Sequence, residues 1–365
     1  MMAKNLSRII HVFFLLVIYF LAERNEHMSK NCAAPSLFGW DFQVNAAIAI
    51  LIDNIKDVDR VRLEGAEQDI EITLSNKEKI YAQAKSVEKA GDYSNVKKHL
   101  VNALNSLNNT AHNKDENIKQ FIYVTNSENP MGNIQTMAQF IGPYIRQPYT
   151  LLTDKAKEII ENALYKAEKT VCIDRNKLFV HVLQFQNGAT PADRYANIKR
   201  IVDEFVETIL ENRNGIGGKV LDVWQKELLL NGSVSNTCIT LDKKQFTWII
   251  VVKALENSLQ DNSFYDKFDV SEVQQVQNHF NTFICNSVVR FEFVTAVLSD
   301  FNNFVPRERN KKTGEFIEEK WSEYTSEFAL DKLDSNTQEI LVKTILARII
   351  YQSSTINSMK EKKLI

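Results

Sequence analysis

The sequence predicts an α/β fold, in which an α/β/α sandwich is followed by a mostly helical C-terminal domain. An apolar helix pattern precedes two β-type runs within residues 42–87. Short apolar runs then alternate with helix patterns as far as residue 210, and such alternation is typical of helices that pack on a sheet. Helix patterns dominate after residue 219. A chain of 365 residues is long enough for two domains, each with its own core.

The first predicted elements are one helix and a pair of strands. Phe42–Ile55 has a broad apolar face, and its alanines allow close packing on a sheet. Two β-type runs follow, Arg62–Leu74 and Lys79–Val87, and the polar turn 75–78 joins them. This order of elements predicts a hairpin packed against the helix.

The segments that follow alternate between helix and strand patterns. Apolar residues at helical spacing indicate helices, and short apolar runs bounded by turn residues indicate buried strands. The predicted helices are Tyr93–Leu107, Thr153–Lys169 and Ala192–Leu210, and the predicted strands are Gln120–Thr125 and Lys177–Phe185.

The glycine-rich stretch 215–218 marks the predicted boundary between a first domain at 28–213 and a second at 219–365. The stretch is not a phosphate-binding loop, because Lys219 is followed by Val220 rather than by Ser or Thr. We expect the second domain to regulate the first or to mediate oligomerisation. Its predicted helices are Val220–Leu229, Lys243–Leu259, Ser271–Asn281, Ser287–Phe304, Trp321–Phe328 and Thr337–Gln352.

Residues 1–27 form a hydrophobic extension that precedes the predicted domains. Its apolar run, 9–22, is shorter than the roughly 20 residues that a spanning helix needs. Three explanations stay open: a start codon assigned too early, since Met28 follows the run, a membrane anchor, or a cleaved signal peptide. We predict a cytoplasmic protein, with membrane anchoring through 9–22 as the alternative.

The spacing of the cysteines and the overall charge restrict the possible functions. Cys32, Cys172, Cys238 and Cys285 are far apart and have no histidine at ligand spacing, which argues against structural zinc and favours a reducing compartment. The net charge of −2 means that any affinity for nucleic acid must come from a local basic patch.

Lysines in and after the hairpin offer such a patch. We predict Lys89, Lys97 and Lys98 as residues that contact DNA, and the alternative is an ordinary solvated surface. The absence of a strongly basic composition argues against tight nonspecific binding of DNA.

The hairpin also carries the candidate catalytic residues. Alternate residues of a strand point to the same face, so Gln83 and Lys85 point together, and pairing of the strands can bring Asp69 beside them. An acid, an amide and an amine at one place can support phosphodiester hydrolysis with a divalent cation. The alternative interpretation is the solvated face of a half-buried strand.

The order and spacing of several residues resemble the PD-(D/E)XK nuclease superfamily. The resemblance is carried by Gly39-x-x-Phe-Gln43, Glu64, Glu67-Gln-Asp-Ile70 and Gln83-x-Lys85 followed by Ser86. Within the superfamily, this stretch most resembles the double-stranded DNA endonuclease domain of CD-NTase-associated effectors in bacterial anti-phage systems. It is more distantly similar to Mrr-type restriction endonucleases.

The resemblance implies a restriction-endonuclease-like sandwich and a role for each matching residue. Asp69 would be the main ligand of Mg²⁺ or Mn²⁺, and Gln83 would add a side-chain oxygen ligand or orient a water. Lys85 would place a positive charge near the attacked phosphate or position the nucleophilic water. Gln43 falls where many relatives place a helix glutamate. Because two glutamines replace expected carboxylates, Asp69 is the one firm acidic ligand, and Glu64, Glu67 or Glu71 could supply a second.

The expected activity is therefore metal-dependent cleavage of double-stranded DNA in anti-phage defence. The resemblance implies a homo-oligomer that is kept inactive until a partner protein or a nucleotide second messenger activates it. RNA cleavage would use the same chemistry. The alternative from another class is a non-catalytic subunit that keeps the nuclease fold in order to bind nucleic acid or a partner.

Overall fold

A computed structural model describes most of the chain. The described residues are 34–89, 91–113, 117–167, 170–186, 190–210, 215–257, 269–271, 276, 291–328 and 333–365. The extension 1–27 lies outside them, together with most of the helix predicted at Ser271–Asn281 and the start of the one predicted at Ser287–Phe304.

Strands and helices are interspersed in the first half, and the second half is mostly helical. The strands are β1 (Val58–Leu63), β2 (Ile70–Leu74), β3 (Lys79–Lys85), β4 (Ile118–Thr125), β5 (Tyr144–Pro148), β6 (Leu178–Leu183) and β7 (Leu241–Asp242). The helices are α1 (Ala34–Asn54), α2 (Val96–Asn113), α3 (Ile134–Met137), α4 (Asp154–Ala167), α5 (Pro191–Glu207), α6 (Ile216–Ser233), α7 (Lys243–Asn257), α8 (Phe291–Asn303), α9 (Lys312–Lys320), α10 (Ser335–Tyr351) and α11 (Ser353–Glu361). Short 3-10 helices occupy Ala138–Phe140, Tyr149–Leu151, Arg175–Lys177, Arg309–Lys311 and Trp321–Glu327.

The strands of the described residues form one mixed sheet of seven, in the order β5-β6-β4-β3-β2-β1-β7. Strands β3, β4 and β6 run parallel, and β2 and β1 continue the sheet in antiparallel pairs. The α/β class predicted from the sequence is therefore confirmed.

Side chains that alternate along the strands build a core on each face of the sheet. Ile70, Ile72 and Ala82 are fully buried and belong to the same core as the alanines of α1. Tyr81 and Phe121 point to the other face, where they pack with α2 and α4. Helices consequently cover both faces.

One predicted run, Arg62–Leu74, was wrong as a single strand. It is divided into the end of β1, a turn at residues 64–69, and β2. The turn forms because the backbone N–H of Glu64 donates to the Asp69 carbonyl (2.9 Å) and that of Gly65 donates to the Gln68 carbonyl (3.1 Å). The helix predicted at Trp321–Phe328 is present as a 3-10 helix, Trp321–Glu327.

The N-terminal helix α1 extends the predicted Phe42–Ile55 helix back to Ala34. Among the described helices, α1 alone has the length and apolar composition of a membrane span, and most of that stretch is buried inside the protein. Its alanines at 46, 47 and 49 are fully buried, as expected for a helix that packs closely on the sheet.

Arg62 links the sheet to the segment beyond residue 215. This buried β1 side chain (3% exposed) donates through Nη1 to the Asn231 carbonyl (2.6 Å) and through Nη2 to the Val234 carbonyl (2.6 Å). A third bond joins Nη1 to the carbonyl of Ile239 (3.0 Å). The guanidinium thus binds backbone carbonyls in and just after the last turn of α6, where the helix dipole favours a cation.

The core extends across the boundary that the sequence predicts at 213–219. Residues of α6 and α7 belong to the same hydrophobic core as α1 and the sheet, and β7 pairs with β1. The division into domains 28–213 and 219–365 stays a prediction.

Replacement of Arg62 by Met should lower the free energy of unfolding by about 3 kcal/mol, because buried carbonyls would lose a charged donor. Urea denaturation of the full chain measures this change. Arg60→Met is the matched control on the same strand, since the Arg60 side chain is exposed and pairs with Asp59 at the surface. Equal destabilisation by both substitutions would contradict the structural role of Arg62.

Candidate active site

The sheet register places Asp69 opposite the end of β3. Ile70 pairs with Ala82 in the antiparallel β2–β3 ladder. Asp69, one residue before Ile70, therefore lies opposite Gln83, one residue after Ala82. The turn at 64–69 ends at this point, so its geometry decides where the carboxylate lies.

The Asp69 carboxylate contacts three donors from the end of β3. Its Oδ2 accepts from the side-chain amide of Gln83 (2.5 Å) and from the backbone N–H of Ala84 (2.9 Å). The ammonium of Lys85 lies 3.5 Å from the same oxygen. The structure therefore brings together the acid, the amide and the amine that the sequence singled out, and their catalytic roles stay a prediction.

Gln43 connects α1 to the turn. Its Nε2 donates both to Oε1 of Glu64 (3.0 Å) and to the backbone carbonyl of Asp69 (2.9 Å), and its side chain is buried. Gln43 thereby joins the Glu64 carboxylate to the backbone of Asp69.

The other acids of the turn have different surroundings. Oε1 of Glu71 accepts from the backbone N–H groups of Glu67 (2.7 Å) and Gln68 (3.1 Å), so this carboxylate closes the turn. It passes so close to Gly65 that a Cβ there would lie 2.2 Å from its carboxyl carbon. Of the three choices for a second acidic ligand, Glu64 is the one that Gln43 joins to Asp69.

Gln68 was missed by the sequence reasoning, although it adjoins Asp69. The side chain is 4% exposed, and its Nε2 donates to the Ser106 carbonyl (3.0 Å) and to Oγ1 of Thr110 (2.8 Å) on α2. The sequence did contain a signal for this contact. Ser106 and Thr110 are two polar residues four positions apart on a largely apolar helix face, which indicates a buried polar partner. Gln68 fixes the turn to the helix layer opposite α1.

His99 was also missed as a neighbour of the candidate site. It is half-buried on α2, and its Nδ1 is buried without a hydrogen-bond partner among the described residues. Burial lowers the pKa of His99, and the positive charges of Lys85 and Lys98 lower it further. The imidazole is therefore neutral at neutral pH, and Lys85 supplies the positive charge beside Asp69.

The three lysines predicted to contact DNA are exposed. Lys89 follows β3, and Lys97 and Lys98 lie in the first turn of α2. Lys89 thus lies between β3 and α2, and Lys97 and Lys98 lie on α2 itself. Helix α2 packs on the face of the sheet to which Gln83 points. Exposure makes them available to a ligand, and contact with DNA stays a prediction.

The oxygen atoms around Asp69 fit a hard divalent cation held by few protein ligands. The described residues form no hydrogen bond to Oδ1 of Asp69 or to Oε1 of Gln83, and Glu64 adds a second carboxylate. Among these residues no group of three or more His, Cys, Asp or Glu could hold a metal ion. Mg²⁺ commonly uses one or two carboxylates, completed by water and substrate phosphate, and the binding of such an ion at Asp69 stays a prediction.

Comparison with known proteins adds no family to this description. No family model matches the chain, and neither a curated protein nor a solved structure matches it. Any function must therefore be argued from the arrangement of these side chains and from the short motifs that they form.

The backbone of Glu64 provides a test of the turn geometry. Its φ of 47° lies in the left-handed region, which costs a non-glycine residue about 1 kcal/mol. Glu64→Gly and Glu64→Ala both remove the bond to Gln43, but only glycine relieves the strain. The glycine variant should therefore be about 1 kcal/mol more stable than the alanine variant in urea denaturation. An alanine variant of equal or greater stability would contradict the left-handed conformation.

Proposed function

We propose that the chain is a metal-dependent endonuclease that hydrolyses phosphodiester bonds of double-stranded DNA, on a restriction-endonuclease-like core of the PD-(D/E)XK type. The observation that carries the proposal is the convergence of Gln83 and Lys85 on one carboxylate oxygen of Asp69. The mixed sheet with helices on both faces is compatible with the sandwich that the motif resemblance implies.

Asp69, Gln83 and Glu64 would hold Mg²⁺ or Mn²⁺. Such an ion, when bound, offsets charge on the phosphate and favours ionisation of a bound water. Gln43 is a positioning residue in this proposal, because it holds the Glu64 carboxylate and the Asp69 backbone through one amide.

Lys85 supplies a positive charge for the negative charge that develops on the phosphoryl oxygens. Its side chain is 29% exposed, so it is partly shielded from water and its electrostatic effect is larger than that of a fully solvated lysine. The donors of Lys85 can reorient on a flexible stem, which allows the ammonium to contact a phosphate beside Asp69.

The proposed substrate is DNA, with Lys89, Lys97 and Lys98 as contacts to backbone phosphates. Contacts between ammonium groups and phosphates are independent of the base sequence, and they make the affinity for DNA strongly dependent on salt concentration. The resemblance favours double-stranded DNA over RNA, although the hydrolytic chemistry is shared.

A second candidate is a non-catalytic subunit that uses this fold to bind nucleic acid or a partner. Two observations favour it. Amides, Gln43 and Gln83, occupy positions where the family often has carboxylates, and Oδ2 of Asp69 is already surrounded by three donors. A binding scaffold, however, has no chemical need for Lys85 beside Asp69.

Regulation is proposed on the resemblance. A homo-oligomeric anti-phage effector in the cytoplasm would be inactive until a partner protein or a nucleotide second messenger acted on its C-terminal half. Arg62 offers a physical connection, since it joins the strand that leads into the 64–69 turn to the end of α6.

Plasmid cleavage in the presence of Mg²⁺ or Mn²⁺ tests the activity. Lys85→Met should lower the cleavage rate by about 10²-fold to 10³-fold, the usual effect of removing a group that stabilises transition-state charge. Lys360→Met is the matched control, because Lys360 is an exposed lysine on α11, outside the hairpin and the basic patch, and should leave the rate unchanged.

Equal rates for the wild type and Lys85→Met would contradict the catalytic assignment. DNA binding without cleavage by the wild type, unchanged in Lys85→Met, would favour the non-catalytic candidate.

A further inference from the structure

A thiol and an imidazole lie in contact away from the candidate active site. Nδ1 of His112 is 3.2 Å from Sγ of Cys172, within the range of a hydrogen bond to sulfur. His112 occupies the last turn of α2, and Cys172 belongs to the segment that leads to β6. Both side chains are exposed, so small molecules can reach the pair.

A buried asparagine fixes the backbone of Cys172. Oδ1 of Asn108 accepts from the backbone N–H of Cys172 (2.8 Å) and from that of Ile173 (3.2 Å). Its Nδ2 donates to the Thr170 carbonyl (3.0 Å), and the side chain is 1% exposed. The thiol is therefore presented to the ring by a segment held at three backbone groups, and the contact does not depend on a loose surface loop.

The location of His112 favours proton transfer from the thiol. The C-terminal end of a helix stabilises a positive charge through its free carbonyls, and His112 is the basic residue in the last turn of α2. A thiol that hydrogen-bonds to a neighbouring base is a stronger nucleophile than an isolated one, because the thiolate is the reactive form.

We propose that Cys172, activated by His112, is a modification site for soft electrophiles and hydroperoxides. With hydrogen peroxide, the sulfur attacks one oxygen, the S–O bond forms and the O–O bond breaks. The thiol proton passes through Nδ1 of His112 to the departing hydroxide, which leaves as water. Cysteine is oxidised by two electrons to a sulfenic acid while the peroxide is reduced. This inference does not rest on nuclease activity.

The chain contains its own reference thiol. Cys238 is also free and exposed, and no residue in the described part of the chain forms a hydrogen bond to its sulfur. If exposure alone set reactivity, the two cysteines would react at the same rate. Activation by His112 would make Cys172 react faster than Cys238.

Alkylation of the folded full chain with iodoacetamide at pH 7, followed by peptide mass spectrometry, measures both cysteines in one sample. Cys172 should react about tenfold faster than Cys238, because the imidazole of His112 can accept the thiol proton as the sulfur attacks. His112→Asn should bring the rate at Cys172 down to that at Cys238. Urea denaturation checks that His112→Asn stays folded, and the ratio of the two rates in the wild type does not depend on the variant.

Equal rates at the two cysteines, or a rate at Cys172 that is unchanged in His112→Asn, would overturn the proposal. Hydrogen peroxide followed by dimedone should label Cys172 and leave Cys238 unlabelled. Absence of that label, with fast alkylation, would overturn the hydroperoxide part alone.

Discussion

The carboxylate of Asp69 is the constraint on which the candidate site depends. It lies at the junction of the 64–69 turn and β2, and a partly buried carboxylate requires hydrogen-bond donors. The end of β3 supplies the amide of Gln83, the backbone N–H of Ala84 and the ammonium of Lys85. These bonds require the turn to end opposite Gln83. The same geometry places the oxygens of Asp69 and Gln83 beside the ammonium of Lys85.

Both helical layers stabilise this turn. From α1, Gln43 bonds to the Glu64 side chain and to the Asp69 carbonyl. From α2, Ser106 and Thr110 receive the Gln68 side chain. The acidic residues are therefore positioned by buried amides on opposite faces of the sheet, which suits a site whose side chains must keep their place before a substrate arrives.

Strand periodicity was enough to predict the convergence of Asp69, Gln83 and Lys85, because alternate residues share a face and the hairpin is local. It failed within Arg62–Leu74, where a left-handed residue and two backbone hydrogen bonds interrupt an otherwise continuous strand pattern. The contact of Arg62 with the end of α6 joins residues 169 positions apart. A local sequence pattern cannot identify a partner so far along the chain. The core that the two halves share was therefore found only in the structure.

Binding of Mn²⁺ to the full chain, followed by electron paramagnetic resonance, tests the metal site at Asp69 without an activating signal. If Asp69 is a metal ligand, Mn²⁺ should bind at a saturable site whose affinity falls at least about tenfold in Asp69→Asn. The affinity should be unchanged in Asp59→Asn, because the Asp59 carboxylate pairs with Arg60 on β1. Failure of the wild type to bind Mn²⁺, or equal binding by Asp69→Asn, would contradict a metal-dependent site at Asp69.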